Sequence, residues 1–248
     1  MKIFTILFVF MLSLPQSSEA KVQIVGTRFI LHEGSKVIKI KTNNLGDNSA
    51  LVQAWIDNGN MDSQPYSKNM PMRIYPPIIK ISKDDSQIFK VISSNILMRK
   101  DRESVFWVNF LEIPPKNITK YNLSTLGIAV RTRMKVFYRP KMLNGSPYDA
   151  VKNLKFSLEN KKRSDIDIVA INQSPYYVNI NDIIFDGKVS EKHVMLPPFS
   201  KQKVGHISNN NSENIITSGI HIKWLNDYGV VKSQSYQFDK GVYLVKSH

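Results

Sequence analysis

Apolar and polar positions alternate along most of the chain with a period of two, the signature of strands whose successive side chains point to opposite faces. From residue 126 to 139 the even positions include Leu126, Ile128, Val130, Met134, Val136 and Tyr138, while Arg131, Arg133, Lys135 and Arg139 fall on odd ones. The same reading predicts strands over 22–31, 36–42, 50–56, 78–82, 87–92, 104–113 and 127–138. A second set follows at 154–160, 166–172, 176–185, 201–207, 219–225 and 233–238. Short branched and aromatic runs with Gly, Pro and polar punctuation predict an all-β protein of sandwich type. Between the sets, RPKMLNGSPYD (139–149) carries two prolines and an Asn-Gly and reads as a turn or hinge. Two sandwiches of about seven strands each are therefore expected, with domains over 21–140 and 141–248. SNNNSEN (208–214) is expected to be an exposed loop.

The first twenty residues depart from this pattern. Lys2, the apolar run from Ile3 to Leu14, and the small residues Ser18 and Ala20 predict a secretory signal cleaved after Ala20. The run is short for a bilayer span, and nothing later is long and apolar enough to cross one, so the mature protein is expected to be exported, with no membrane insertion. What remains suits one large or two modest domains.

The formal charge of +14 favours anionic partners without identifying them. There is no cysteine. Thiol catalysis and cysteine-ligated zinc are excluded, and stability must come from an ordinary hydrophobic core. No phosphate-binding loop, dinucleotide glycine pattern, nucleophile elbow or HExxH is present. The histidines at 32, 193, 206, 221 and 248 are scattered, and the carboxylates of DIDI (165–168) and NDI (181–183) lack calcium-loop spacing. The sequons at Asn117, Asn122 and Asn172 matter only on a eukaryotic secretory route.

The 126–139 strand has two readings from periodicity alone. One is a half-buried strand with a solvated basic face. The other is an exposed edge at Leu126, Ile128 and Val130, to which an incoming strand pairs. Unpartnered apolar edges are aggregation hazards, so one is kept only for a purpose.

Several ordered blocks resemble one family. FYRP (137–140) after the alternating strand, DRESVFWVNFLEIPPK (101–116), TRFILHEGSK with TNN and LVQAWID (27–57), and IYPP (74–77) are similar to the first domain of the PapD-like periplasmic chaperones of the chaperone–usher pilus pathway. NQSPYYV (172–178), MLPPFS (195–200) and WLNDYG (224–229) resemble its second. The resemblance implies two immunoglobulin-like β-sandwich domains at an angle, with a cleft between them. It implies a periplasmic non-enzyme that binds pilin subunits by donor-strand complementation and delivers them to an outer-membrane usher. No cofactor, metal or nucleic acid is implied. Leu126, Ile128 and Val130 would be donated into the pilin groove, and Arg28 and Lys135 would anchor the pilin C-terminal carboxylate. Glu103, Arg139 and Asp227 would form an interdomain charge cluster. Arg131 and Arg133 receive no role and are expected to be solvated. A proline common after the cleft arginine is absent, the chain reading FILHEG, and the short Lys116–Thr125 loop resembles the branch associated with rod-like pili. The competing reading is an exported basic adhesion or polyanion-binding module on immunoglobulin-like domains. The sequence leaves open whether the free protein covers its edge by self-association.

Overall fold

A computed structural model describes residues 22–65, 70–94, 98–113, 129–160, 165–185, 188–208, 219–239 and 241–244. The first domain packs two sheets face to face. One has the order β1 (Val22–Ile24), β3 (Val37–Asn44), β7 (Ser86–Ser93), β5 (Met72–Tyr75). The other runs β2 (Arg28–His32), β9 (Val130–Arg139), β8 (Ser104–Ile113), β4 (Ala50–Asp57), β6 (Ile78–Ile81). Their inward faces bury Leu31, Ile40, Val52, Phe89, Val108, Phe110 and Val136 in one cluster. Phe89 and Phe110 meet edge to face at 5.2 Å between centroids.

The 22–31 run, expected as one strand, is two strands in different sheets. Gly26 lies between them with φ +112°, a conformation that side chains resist. The turn there carries the chain from an antiparallel pairing of β1 with β3 to a parallel pairing of β2 with β9. That parallel register sets Arg28 beside Lys135.

The second domain is one eight-stranded sheet in the order β13 (Lys188–Leu196), β12 (Val178–Phe185), β15 (Ile220–Leu225), β16 (Val231–Asp239), β17 (Val242–Leu244), β10 (Lys155–Asn160), β11 (Asp165–Asn172), β14 (Ser200–Ser208). It folds over a single core, because Ile180, Ile183 and Ile222 from one end share a cluster with Phe156, Ile168 and Val204 from the other. Tyr236 is fully buried there and its hydroxyl donates to Val151 O at 2.6 Å. The stretch expected as a turn or hinge runs at its end into a short helix, α1 (Pro147–Lys152). Ser146 caps it, accepting from Asp149 N at 3.2 Å, with Pro147 and Asp149 in the first turn where they fit best. β5, β13 and β17 were not expected from the sequence. The alternation in KVSEKHVML (188–196) is diluted by charged residues, and β5 and β17 are short. Among the described residues, no helix is long and apolar enough to cross a membrane.

Candidate functional site: the interdomain cleft and the β9 edge

β9 pairs with β8 from Val130 to Tyr138, but with β2 only from Lys135 to Arg139. Among the described residues, the stretch Val130–Met134 therefore has one sheet partner and one open edge. Parallel pairing begins at Lys135, so the open edge ends at a cation. Val130 is 40% exposed and lies at the mouth of the first core beside Val22, Ile24, Val52 and Phe110. Leu126 and Ile128 lie outside the described residues.

At the closed end of that edge the second domain meets the first. Arg28 Nη1 donates to Leu225 O at 3.3 Å. Its Nε is buried and has no hydrogen-bond acceptor. Lys135 Nζ donates to Asn179 Oδ1 at 3.0 Å. Burial, and then the neighbouring Arg28 charge, hold the Lys135 pKa below the usual lysine range. Burial also lowers the Arg28 pKa, against the pull of Asp227. Neither cation has a carboxylate within ion-pair distance among the described residues. Two half-buried like charges and an idle N–H have the donor chemistry to receive an anion carrying two oxygens.

Deeper in the cleft lies Arg139. Its Nε donates to Glu103 Oε1 at 2.6 Å, and Nη1 and Nη2 fork onto the Asp227 carboxylate at 2.6 and 2.8 Å. Glu103 and Arg139 come from the first domain and Asp227 from the turn after β15, so the cluster spans the interface. Glu103 Oε2 also accepts from Tyr177 N of the second domain at 2.8 Å. Burial opposes the Arg139 charge, but its hydrogen bonds to Asp227 and the charge of Glu103 raise its pKa above the ordinary arginine value. Phe137 against Tyr177 and Arg102 over Phe199 complete the contact.

Arg131 and Arg133 are not the solvated face expected of them. Arg133 forms an ion pair with Asp57, whose side chain is 1% exposed, and stacks over Trp107 at 4.7 Å. Arg131 donates from Nε and Nη2 to Asn109 Oδ1 at 2.9 and 2.7 Å, and stacks over Trp55 at 4.8 Å. Asn109 Nδ2 and Gly59 N each reach Asp57 at 2.7 Å. The outer side of β9 is thus tied to β4 and β8 by a buried acid, two cations and two indoles. Only the cross-strand register, Lys135 opposite Trp107 and Arg133 opposite Asn109, brings these residues together. The sequence signal was an acid and two tryptophans on neighbouring strands, visible only once the strands are aligned. Among the described residues no group of three His, Cys, Asp or Glu side chains could hold a metal ion.

Comparison with known proteins bears directly on this arrangement. Residues 21–144 match the family described as "Pili and flagellar-assembly chaperone, PapD N-terminal domain", and 149–236 match "Pili assembly chaperone PapD, C-terminal domain". The chain belongs to the PapD-like pilus assembly chaperone family. It is 36% identical over 219 residues to the chaperone protein HifB of Haemophilus influenzae, covering 86% of each chain. It is 35% identical over 228 residues to the probable fimbrial chaperone YadV of Escherichia coli, covering 90% of this chain and 92% of that one. The crystal structure of the YadV chaperone superposes with a TM-score of 0.73 at 31% identity, over 88% of this chain and 100% of that one. The family is one of assembly chaperones, not enzymes, and its fold is the pair of immunoglobulin-like sandwiches described above.

Proposed function

We propose that this chaperone captures pilin subunits in the periplasm by lending them the open edge of β9, and passes them to an outer-membrane usher. The observation that supports the reading is a strand edge that, among the described residues, is unpaired and ends on two cations without a carboxylate partner. A client strand pairing along Val130–Met134 satisfies backbone groups on both sides. The Leu126, Ile128 and Val130 side chains fill the client's incomplete core. Each fully buried apolar side chain contributes roughly 1.5–3 kcal/mol, from which the costs of association are subtracted. Arg28 and Lys135 receive the client's terminal carboxylate, with the idle Arg28 Nε as one donor. A charged hydrogen bond contributes about 1.5–3 kcal/mol, and it also fixes register, because a one-residue slip turns every client side chain to the wrong face. The Glu103–Arg139–Asp227 cluster holds the two domains at the angle that keeps this site open. Domain limits of 21–140 and 141–248 place the whole donated strand in the first domain.

The test is co-purification with a pilin subunit encoded beside the chaperone. Arg28→Ala and Lys135→Ala are each expected to keep the wild-type unfolding midpoint. Each should weaken capture by roughly 10- to 100-fold, the loss of one charged hydrogen bond. Undiminished capture by both variants refutes the assignment. A polyanion-binding module would instead bind heparin with a steep salt dependence and without regard to either cation.

A further inference from the structure

The two cleft cations belong to the first domain, yet both donate to acceptors of the second. Arg28 reaches a backbone carbonyl, Leu225 O, and Lys135 reaches a side chain, Asn179 Oδ1. Asn179 is 7% exposed and its backbone is fixed in β12, opposite Met195 of β13. Lysine is a compact charge on a flexible four-carbon stem, and among the described residues Asn179 is the acceptor that orients its ammonium here. Its strand neighbour is a like charge, since Arg28 pairs with it in register. Without an acceptor, Lys135 would turn away from Arg28 toward solvent.

We propose that Asn179 is a positioning residue of the second domain, a neutral placeholder that holds Lys135 beside Arg28 until a client's terminal carboxylate displaces it. The inference rests on the carboxylate-anchoring role given above to Arg28 and Lys135. Neutrality is the chemical requirement. An amide oxygen accepts from the ammonium strongly enough to fix it, but a carboxylate adds a full opposite charge to the same bond and therefore wins the exchange. An aspartate at the same place would make that stronger bond permanently and leave the client nothing to gain. The exchange also links the domains to client arrival. Asn179 gives up its bond to the first domain as the client forms its own, so the interface loosens locally when the site fills.

Four variants test this with the co-expressed pilin subunit and with NMR titration of the lysine side chain in the client-free protein; Lys135→Ala identifies the resonance. Asn179→Asp is expected to raise the Lys135 titration and to cut capture at least tenfold. Asn179→Ser, which keeps a neutral acceptor, is expected to stay within about threefold of wild type. Asn179→Ala, which leaves the ammonium without an acceptor, is expected to lower the Lys135 titration further. That last measurement needs no client, and it decides the matter if Asn179→Asp fails to fold. An unmoved Lys135 titration in Asn179→Ala overturns the inference. So does full capture by Asn179→Asp when Lys135→Ala has lost it. Loss of capture by Asn179→Ser as severe as that of Asn179→Asp also overturns it. Full capture by Lys135→Ala itself instead sinks the underlying reading of the cleft.

Discussion

Replacing Arg139 with methionine removes the side chain that joins Glu103 to Asp227. The stem volume is kept and the guanidinium is lost. Glu103 is 3% exposed, so its carboxylate would stay out of water with the Tyr177 N–H as its remaining close partner. Breaking a buried ion pair from one side costs about 3–5 kcal/mol, because the other charge is left uncompensated. Asp227 differs, with a side chain 34% exposed that water can solvate. Asp227→Asn is therefore expected to cost only about 1 kcal/mol. Exchanging the charge of Glu103 as well should recover part of the loss. The double variant Arg139→Met/Glu103→Gln is expected to be more stable than the sum of the single effects by about 2 kcal/mol. The assay is urea unfolding followed by tryptophan fluorescence, urea being chosen because guanidinium salt screens the charges under test. Trp55 and Trp107 report on the first domain and Trp224 on the second. Loss of the cluster should also separate the two reports, since each domain has its own core and the cluster bridges them. A cost below about 1 kcal/mol for Arg139→Met, or additivity of the two single effects within about 0.5 kcal/mol, would refute the account of a coupled buried cluster.

Two further predictions concern parts of the molecule that flank the cleft. Gly229 has φ +77°, and a Cβ there would overlap Thr27 Oγ1 of the first domain, next to Arg28; Gly229→Ala is expected to cost at least about 1 kcal/mol and to weaken client capture, with capture partly restored by adding Thr27→Ala. If Gly229→Ala unfolds and binds like wild type, the close domain approach at Thr27 is wrong. Asp57 is held below the ordinary carboxylate range: burial opposes ionisation, but the bonds from Arg133, Asn109 and Gly59 outweigh it. A depressed acid stabilises the fold above its unfolded pKa near 3.9 and loses that contribution as pH falls through the folded value. Asp57→Asn should therefore cost about 2 kcal/mol at neutral pH and flatten the acid limb of the stability curve; an unchanged slope from pH 5 to 2 would show that Asp57 is not the linked group.

Local pattern alone determined much of this protein. Alternation placed β8 at 104–113 and put β4, β6 and β7 within a residue or so of their observed limits, because a sheet with one buried face needs an apolar residue at every second position. The ordered blocks around FYRP, DRESVFWVNFLEIPPK and WLNDYG carried the family, and the match over both domains bears that out. Periodicity does not say where a strand changes sheets, so the alternation runs through the turn at Gly26 as if the strand were continuous. Nor could it read Ser146-Pro147 as a helix start, since a short cap and a hinge share the same residues.

Alternation leaves charge pairing open, and the family resemblance implies a cluster only for Glu103, Arg139 and Asp227; the tertiary fold decides the rest. Arg131, Arg133, Lys135 and Arg139 look alike along the sequence, four cations on one face of one strand. Register gives the first two to Asn109, Asp57 and the indoles and sets Arg139 beside Glu103, while docking of the second domain gives Lys135 to Asn179 and Arg139 to Asp227. These partners lie 22 to 88 residues away. A side chain's sequence neighbours fix which way it points, but the energy of a buried charge is set by what the fold brings within about 3 Å, and that information is not local.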